Sequence, residues 1–296
     1  MRKIGFIGLG HMGKPMVKHL IDAGFVVQVF DVVPAAIQSC VEFGAIAAEN
    51  PGAAAKDSEV VFTMLQTGEQ VTSVCHGDSG IFVHIPKSAL YIDSSSIDIT
   101  ASRLLHNECS NQGIAMLDAP VSGGVAGAEA ATLTIMVGGE EKDFARSKEY
   151  LEKLGKKIIH TGPAGNGQAA KICNNMLLGI SMIAVSETFV LAEKLGLSAE
   201  KLFEVSSNAS GQCWSLTSYC PVPNLVPTSP ANKNYEPGFT AQMMLKDLQL
   251  SQEAARTHNV ATPLGAEAAE LYLLFNNNGS AQLDFSAIIK MLRGSN

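Results

Sequence analysis

The first 31 residues constrain this chain more than any other stretch. Lys3 to Gly8 reads as a short buried strand, and Gly8-Leu9-Gly10-His11-Met12-Gly13 follows at once. Lys14 to Ala23 then carries helical periodicity at Met16, Val17 and Leu20. Gly24 stops that helix, and Val26 to Phe30 forms a second apolar strand that ends at Asp31. A GxGxxG run alone is weak evidence, because glycine is common. Between a strand and a helix, with an acid closing the next strand, it marks a dinucleotide-binding turn. Gly8 permits the tight turn, Gly10 lets the backbone approach a pyrophosphate, and Gly13 lets helix and strand pack closely. With Leu9, His11 and Met12 between them, they lead into a helix N-terminus that offers N–H groups and partial positive charge to phosphates.

Asp31 stands where a carboxylate can accept hydrogen bonds from the adenosine ribose. A 2′-phosphate would meet its negative charge, and Val32, Val33 and Pro34 supply no cation. The pattern therefore favours NAD over NADP. The competing reading is a loop aspartate that caps the next helix.

The alternation continues. Ala35 to Phe43 is helical, Ala53 to Ala55 starts a short turn, and Val60 to Met64 is a strand. Leu65-Gln66 lies at its carboxyl end, where open α/β sheets place ligands. Ala89 to Asp93 is a strand running into Ser94-Ser95-Ser96, Thr100 to Gln112 is a helix, and Ala115 to Asp118 and Leu133 to Val137 are strands. Helices between strands predict a parallel, doubly wound sheet, a Rossmann domain over residues 1–163. After Asp118, Ser122 offers a hydroxyl, and Gly123 and Gly124 offer unobstructed backbone N–H groups. Such a loop suits a carboxylate. An ordinary strand-to-loop turn accounts for it equally.

Residues 164–296 form the second domain, all-α, beginning with a long linking helix. Gly165 and Gly167 open it, and no proline follows before Pro221. Lys171 shares a face with Asn174 and Asn175. Around them stand Ile172, Met176, Leu177, Leu178, Ile180, Met182, Ile183 and Val185. A helix apolar on most of its circumference is expected to be buried. A lysine and two asparagines there are costly unless paired or used. Either the lysine snorkels to solvent while the asparagines bond locally, or it is a catalytic lysine held by a neighbouring amide. Ser198 to Ser207, Ala241 to His258 and Pro263 to Phe275 also read as helices. Ser210 to Gly238 is a loop rich in Pro, Asn and Ser that contains Trp214 and Tyr219, with Phe239 just beyond. A loop that long in a compact domain is usually functional or an ordered wrap.

Composition narrows the class. Hydrophobic residues are 46% and charged residues 17%, which fits a folded globular chain, and 296 residues allow two domains. A net charge of -7 without a basic run argues against nucleic acid and anionic membranes as partners. An anionic substrate needs only local donors. The six cysteines form no CxxC pair, and neither they nor the seven histidines have metal-ligand spacing. No metal is expected, and the thiols read as buried or semi-buried in a reducing compartment. No charged leader with an apolar stretch precedes the first strand. The most apolar window, Met176 to Leu191, is broken by Ser181, Ser186 and Glu187 and is short for a membrane span. The expectation is a soluble cytoplasmic protein that forms a homodimer or homotetramer through its helical half.

Together these segments resemble the β-hydroxyacid dehydrogenase family over essentially the whole chain. The matching pieces are Gly5 to Gly13, the loop at 118–124, Gly167 to Asn175, and Lys246-Asp247-Leu248, in the family's order. The insert from Trp214 to Phe239 is similar to that of the family's 3-hydroxyisobutyrate dehydrogenase subgroup. The resemblance implies a catalytic Lys171 supported by Asn175, a Ser122-Gly123-Gly124 cradle for the substrate carboxylate, and Lys246 beside cofactor and substrate. Asn174, Trp214, Tyr219 and Phe239 join the expected substrate side. Leu65, Gln66 and Ser96 join the cofactor side, and Ser96 keeps the hydroxyl of a position that is often threonine.

The implied reaction is NAD-dependent oxidation of a 3-hydroxy acid to its semialdehyde, in the subgroup a step of valine breakdown. A free lysine, with a pKa of about 10.4, is a poor base at neutral pH. Desolvation and a nearby nicotinamide cation would lower it. The same machinery would serve a reductase of tartronate, glyoxylate or succinate semialdehyde. A decarboxylating phosphogluconate dehydrogenase would call for a much longer helical domain and a basic phosphate site. A dinucleotide-sensing protein that is not an enzyme would be favoured by loss of the lysine, which is present.

Overall fold

A computed structural model describes residues 2–294. The chain divides into two compact units, Met1–Lys171 and Ile172–Asn296. The division falls inside the helix Asn166–Lys194, a few residues beyond the turn at 163–165 where the sequence places the boundary.

In the first unit, nine strands among the described residues form one sheet. They are β1 (Lys3–Ile7), β2 (Val26–Phe30), β3 (Ile46–Ala47), β4 (Val60–Thr63), β5 (Leu90–Asp93), β6 (Ala115–Asp118), β7 (Val121–Ser122), β8 (Leu133–Gly138) and β9 (Gly155–Gly162). The order β3-β2-β1-β4-β5-β6 is parallel throughout. Chain direction across the sheet reverses between β1 and β4, which makes that gap the topological switch point. Alternate strand residues supply two separate cores, one with Ile4, Phe6, Val29 and Phe62, the other with Ile7, Val61, Tyr91 and Met116. Each such side chain contributes about 1.5–3 kcal/mol by leaving water.

The expected parallel sheet holds over these six strands, and its far edge departs from it. β8 runs antiparallel to β6 and β7, and β9 pairs parallel with β8. A parallel return needs a crossover helix, and the helix Gly124–Glu129 between β7 and β8 has six residues. The chain therefore doubles back. The stretch Ala53 to Ala55, expected as a turn, belongs to the helix Pro51–Ala55, capped by the Asn50 side chain.

In the second unit, the helices Ala199–Ser207, Ala241–Thr257, Pro263–Phe275 and Ile288–Arg293 pack with the rest of Asn166–Lys194. Their core holds Met182, Phe189, Met244, Leu248, Tyr272 and Phe285. The long helix is not buried all round, contrary to expectation. Cys173, Leu177, Ala184 and Leu191 form an exposed stripe at helical spacing. At 29 residues it is long and apolar enough by composition to cross a membrane, which the shorter window Met176 to Leu191 did not reveal. Its other face carries Met182, Ile183, Val185 and Phe189 of the core. All six cysteines are free; Cys40, Cys75, Cys109 and Cys220 are buried, and Cys173 is exposed rather than semi-buried.

Candidate functional site

The glycine turn is shaped as its sequence requires. Gly8 has φ 98°, and a Cβ there would lie 2.3 Å from the Met64 carbonyl oxygen. A Cβ on Gly13 would lie 1.9 Å from the Gly8 oxygen, whereas one on Gly10 would meet nothing within 4 Å. The helix Gly13–Asp22 starts with no side-chain cap and no acid in its first turn. An open face at Gly10 beside an uncapped helix N-terminus fits a pyrophosphate. His11 is exposed, and Met12 packs against the core.

Asp31 follows β2 and closes this turn. Its Oδ2 accepts from the Leu9 N–H at 2.7 Å and its Oδ1 from the Val33 N–H at 2.8 Å. The following helix, Pro34–Val41, starts at Val33, which makes no side-chain cap of its own, so Asp31 braces both the glycine turn and the start of that helix.

After β4, the Leu65 N–H donates to Ser95 Oγ at 2.9 Å, and the Gln66 N–H to Gln70 Oε1 at 3.0 Å. Ser96 is half-buried in the neighbouring loop. Ser122 sits in β7 opposite Thr134. Gly123 and Gly124 follow with φ 135° and 62°, values that favour glycine.

Lys171 is only 7% exposed, so it does not snorkel. The start of its helix is anchored by Asp118, at the end of β6. Asp118 Oδ1 accepts from the Gly165 N–H at 2.8 Å and Oδ2 from the Gln168 N–H at 3.0 Å. His106 Nε2 lies 2.8 Å from Oδ1. The Gln168 side chain donates to the Ser95 carbonyl at 2.8 Å and accepts from the Ile97 N–H at 3.2 Å. Sequence reasoning missed Asp118, His106 and Gln168 as a set. Gln168 lay inside a matched motif, and Asp118 closed a strand.

In the second unit, Asn175 is 1% exposed. Its Nδ2 donates to Asp247 Oδ2 at 2.5 Å, and its Oδ1 accepts from Asn174 Nδ2 at 3.0 Å. Lys246 Nζ lies 3.5 Å from Asp247 Oδ1. Asp247 thus holds Asn175 and Lys246 on one buried carboxylate. It stands within Lys246-Asp247-Leu248, yet the sequence reading singled out only the lysine.

The aromatic insert is organised by Asp284, another residue missed. Trp214 stacks on Tyr219 at 4.9 Å, Tyr219 on Phe285 at 5.4 Å, and Phe239 meets Phe285 edge-on at 5.7 Å. Asp284 is fully buried and accepts from Tyr219 Oη, from the N–H groups of Gly238, Phe239 and Ser286, and from Ser286 Oγ. Burial pushes the Asp284 carboxyl up, against the pull of these bonds. Burial and the adjacent Asp284 also push the Tyr219 phenol up. Trp214 packs the insert and stays 51% exposed.

Residues 3–162 match the NAD binding domain of 6-phosphogluconate dehydrogenase, and residues 165–292 match the NAD-binding domain of NADP-dependent 3-hydroxyisobutyrate dehydrogenase. A probable 3-hydroxyisobutyrate dehydrogenase of Mycobacterium tuberculosis is 47% identical over 293 residues, covering 99% of this chain and 98% of the relative. The chain belongs to the 3-hydroxyisobutyrate dehydrogenase family. It is an NAD-dependent dehydrogenase, and the resemblance read from four motifs holds over its whole length. A second relative of this family member, the NAD-dependent L-serine dehydrogenase of Pseudomonas aeruginosa, is 43% identical over 291 residues, 98% of each chain. The solved Mycobacterium tuberculosis 3-hydroxyisobutyrate dehydrogenase with L-serine has 47% identity, 99% coverage of both chains and a TM-score of 0.94.

Proposed function

We propose that the enzyme oxidises 3-hydroxyisobutyrate to methylmalonate semialdehyde, a step of valine breakdown. The observation that carries the reading is the burial of Lys171, 7% exposed, in a chain that matches this family from end to end. Bound NAD supplies a hydride acceptor at C4 of its nicotinamide. Lys171 takes the hydroxyl proton as the hydride leaves, and as ammonium it returns a proton to the carbonyl oxygen in the reverse direction. In this reading Asn175, its amide fixed by Asp247 and Asn174, orients the amine or the substrate oxygen. Ser122, Gly123 and Gly124 hold the carboxylate. The turn from Gly8 to Gly13 takes the pyrophosphate and Asp31 the ribose, while Leu65, Gln66, Ser96 and Lys246 serve the nicotinamide half.

Substrate choice rests on the group at C2, because the carboxylate is common to all candidates. In this reading Trp214, Tyr219 and Phe239 present an apolar wall to that group. A methyl in such a wall is worth about 1–3 kcal/mol, roughly 10- to 200-fold. A hydroxyl in its place lacks partners. The expected kcat/KM order is 3-hydroxyisobutyrate, then 3-hydroxypropionate, then glycerate, read by NADH absorbance. Glycerate as best substrate would make the enzyme a tartronate semialdehyde reductase.

A second reading, L-serine oxidation, is favoured by the relative named for it and by the solved relative with L-serine. Serine carries an ammonium where 3-hydroxyisobutyrate carries the methyl, and an apolar wall disfavours it. A higher kcat/KM for L-serine in the same panel would move the assignment.

The reading also sets the cofactor preference. Asp31 places a negative charge where a 2′-phosphate would lie, and Val32 beside it is 84% exposed, with room for a longer side chain. NAD is expected to exceed NADP clearly in kcat/KM. Asp31→Ser with Val32→Arg should reduce or reverse that preference. Equal use of both cofactors by the wild type would contradict the role of Asp31. The same reading makes the enzyme a cytoplasmic homodimer or homotetramer, with neither nucleic acid nor membrane as partner. The exposed Leu177, Leu191 and Leu195 support a face covered by a second copy.

A further inference from the structure

The carboxyl ends of β5 and β6 hold two buried acids side by side. Asp93 and Asp118 are register partners, and both are fully buried. Their surroundings differ. Asp118 has donors on both oxygens, from His106, Gly165 and Gln168. Asp93 accepts only at Oδ1, from Thr63 Oγ1 at 2.8 Å and the Ser95 N–H at 3.1 Å. Its Oδ2 is buried with no partner among the described residues. A buried carboxylate oxygen without a donor disfavours the charged form. Burial pushes the Asp93 carboxyl up to about 6, against the bonds from Ser95 and Thr63, and the nearby Asp118 adds to the rise.

The other titratable groups of the cluster are Tyr91, which shares a bond with Thr63 Oγ1, and Cys75, which donates to Tyr91 Oη. Burial pushes both well above their ordinary values, away from neutrality. His106 on the helix Ile99–Asn111 faces Asp118.

Asp93 is also a brace. It holds the Ser95 backbone, and Ser95 Oγ in turn accepts from the Leu65 N–H. One carboxyl therefore ties together the loops after β4 and β5. A dinucleotide lies across the carboxyl ends of the strands at the switch point. With its pyrophosphate on the turn after β1 and its adenosine at Asp31 after β2, its nicotinamide half extends over β4 and β5. This step rests on the cofactor placement in the proposed function.

We propose that Asp93 is a positioning residue for the nicotinamide half, and that its carboxylate favours the oxidised cofactor over the reduced one. The oxidised ring carries a positive charge that the reduced ring lacks, and a desolvated carboxylate is weakly screened. By linkage, binding of the oxidised form drives a proton off Asp93, and binding of the reduced form does not. The sign follows: below about 6 Asp93 is neutral and treats the two forms alike, and above it the oxidised form gains.

The test measures Kd for NAD+ and NADH from pH 5 to 8, for the otherwise wild-type chain and for Asp93→Asn. Both carry Lys171→Met, so that the lysine does not titrate. The ratio Kd(NADH)/Kd(NAD+) is expected to rise about threefold or more with pH, and to stay flat with Asp93→Asn. Calorimetry near pH 6 in buffers of different ionisation enthalpy provides a second readout with Asp93 in place, should Asp93→Asn fail to fold. NAD+ binding should release more protons than NADH binding. A flat ratio, the same slope in Asp93→Asn, or equal proton release for both forms overturns the proposal. These are binding measurements, so failure of Lys171 as the proton-transfer group would leave them standing.

Discussion

Replacing Lys171 with alanine is expected to lower kcat by about 100-fold or more, the lower end for general acid–base catalysis, while NAD still binds. The alcohol proton must leave as the hydride does, and Lys171 sits 7% exposed, where bulk water is a poor substitute. The anchors of its helix, Asp118 and Gln168, do not depend on the lysine side chain. Cofactor binding is therefore expected to survive the truncation. Lys171→Arg is not expected to restore turnover, because a guanidinium stays protonated and cannot act as the base. Steady-state kinetics with a parallel NADH titration separates the two effects. Normal turnover by Lys171→Ala would remove the lysine from the chemistry.

Asp284→Ala should destabilise the second unit by about 3 kcal/mol or more. The carboxylate accepts five hydrogen bonds, three of them from backbone N–H groups. Hydroxyls on Tyr219 and Ser286 can rotate toward other acceptors, but the N–H groups of Gly238, Phe239 and Ser286 cannot. Each buried donor left unpaired costs about 1–3 kcal/mol. The unfolding midpoint should fall by roughly 5 °C or more for a chain of this size. Asp284→Asn keeps one acceptor oxygen and should recover part of the loss. Circular dichroism melts of the three proteins decide it, and an unchanged midpoint for Asp284→Ala would deny the aspartate its role in holding the insert.

The parts legible in the sequence were those whose pattern is local. β2, β6 and the helix Pro263–Phe275 match their sequence readings in both bounds, because each is an apolar run closed by an acid, glycine, proline or asparagine. β9 was not legible. It lies at the sheet edge, where Lys156 and Lys157 are exposed and break the apolar run. The helix Glu141–Leu151 was missed because Phe144, Tyr150 and Leu151 are its few large apolar contacts in a charged sequence. The same division holds for the site. The glycine turn and Lys171 announce themselves within a dozen residues. Asp93, Asp118, Asp247 and Asp284 act through partners that are distant in the chain, such as Tyr219, 65 residues from Asp284, and Asn175, 72 residues from Asp247. A buried acid reads as an ordinary surface acid until the fold brings its donors to it.

Trp214 is the only tryptophan in the chain. It is half exposed and stacked on Tyr219, which hangs from Asp284. The protein therefore carries a built-in fluorophore at a single address. Light absorbed at the red edge of the aromatic band reports on the insert and nowhere else. Anything that orders or loosens that segment changes how much solvent the indole meets, and the colour of its emission follows without a label.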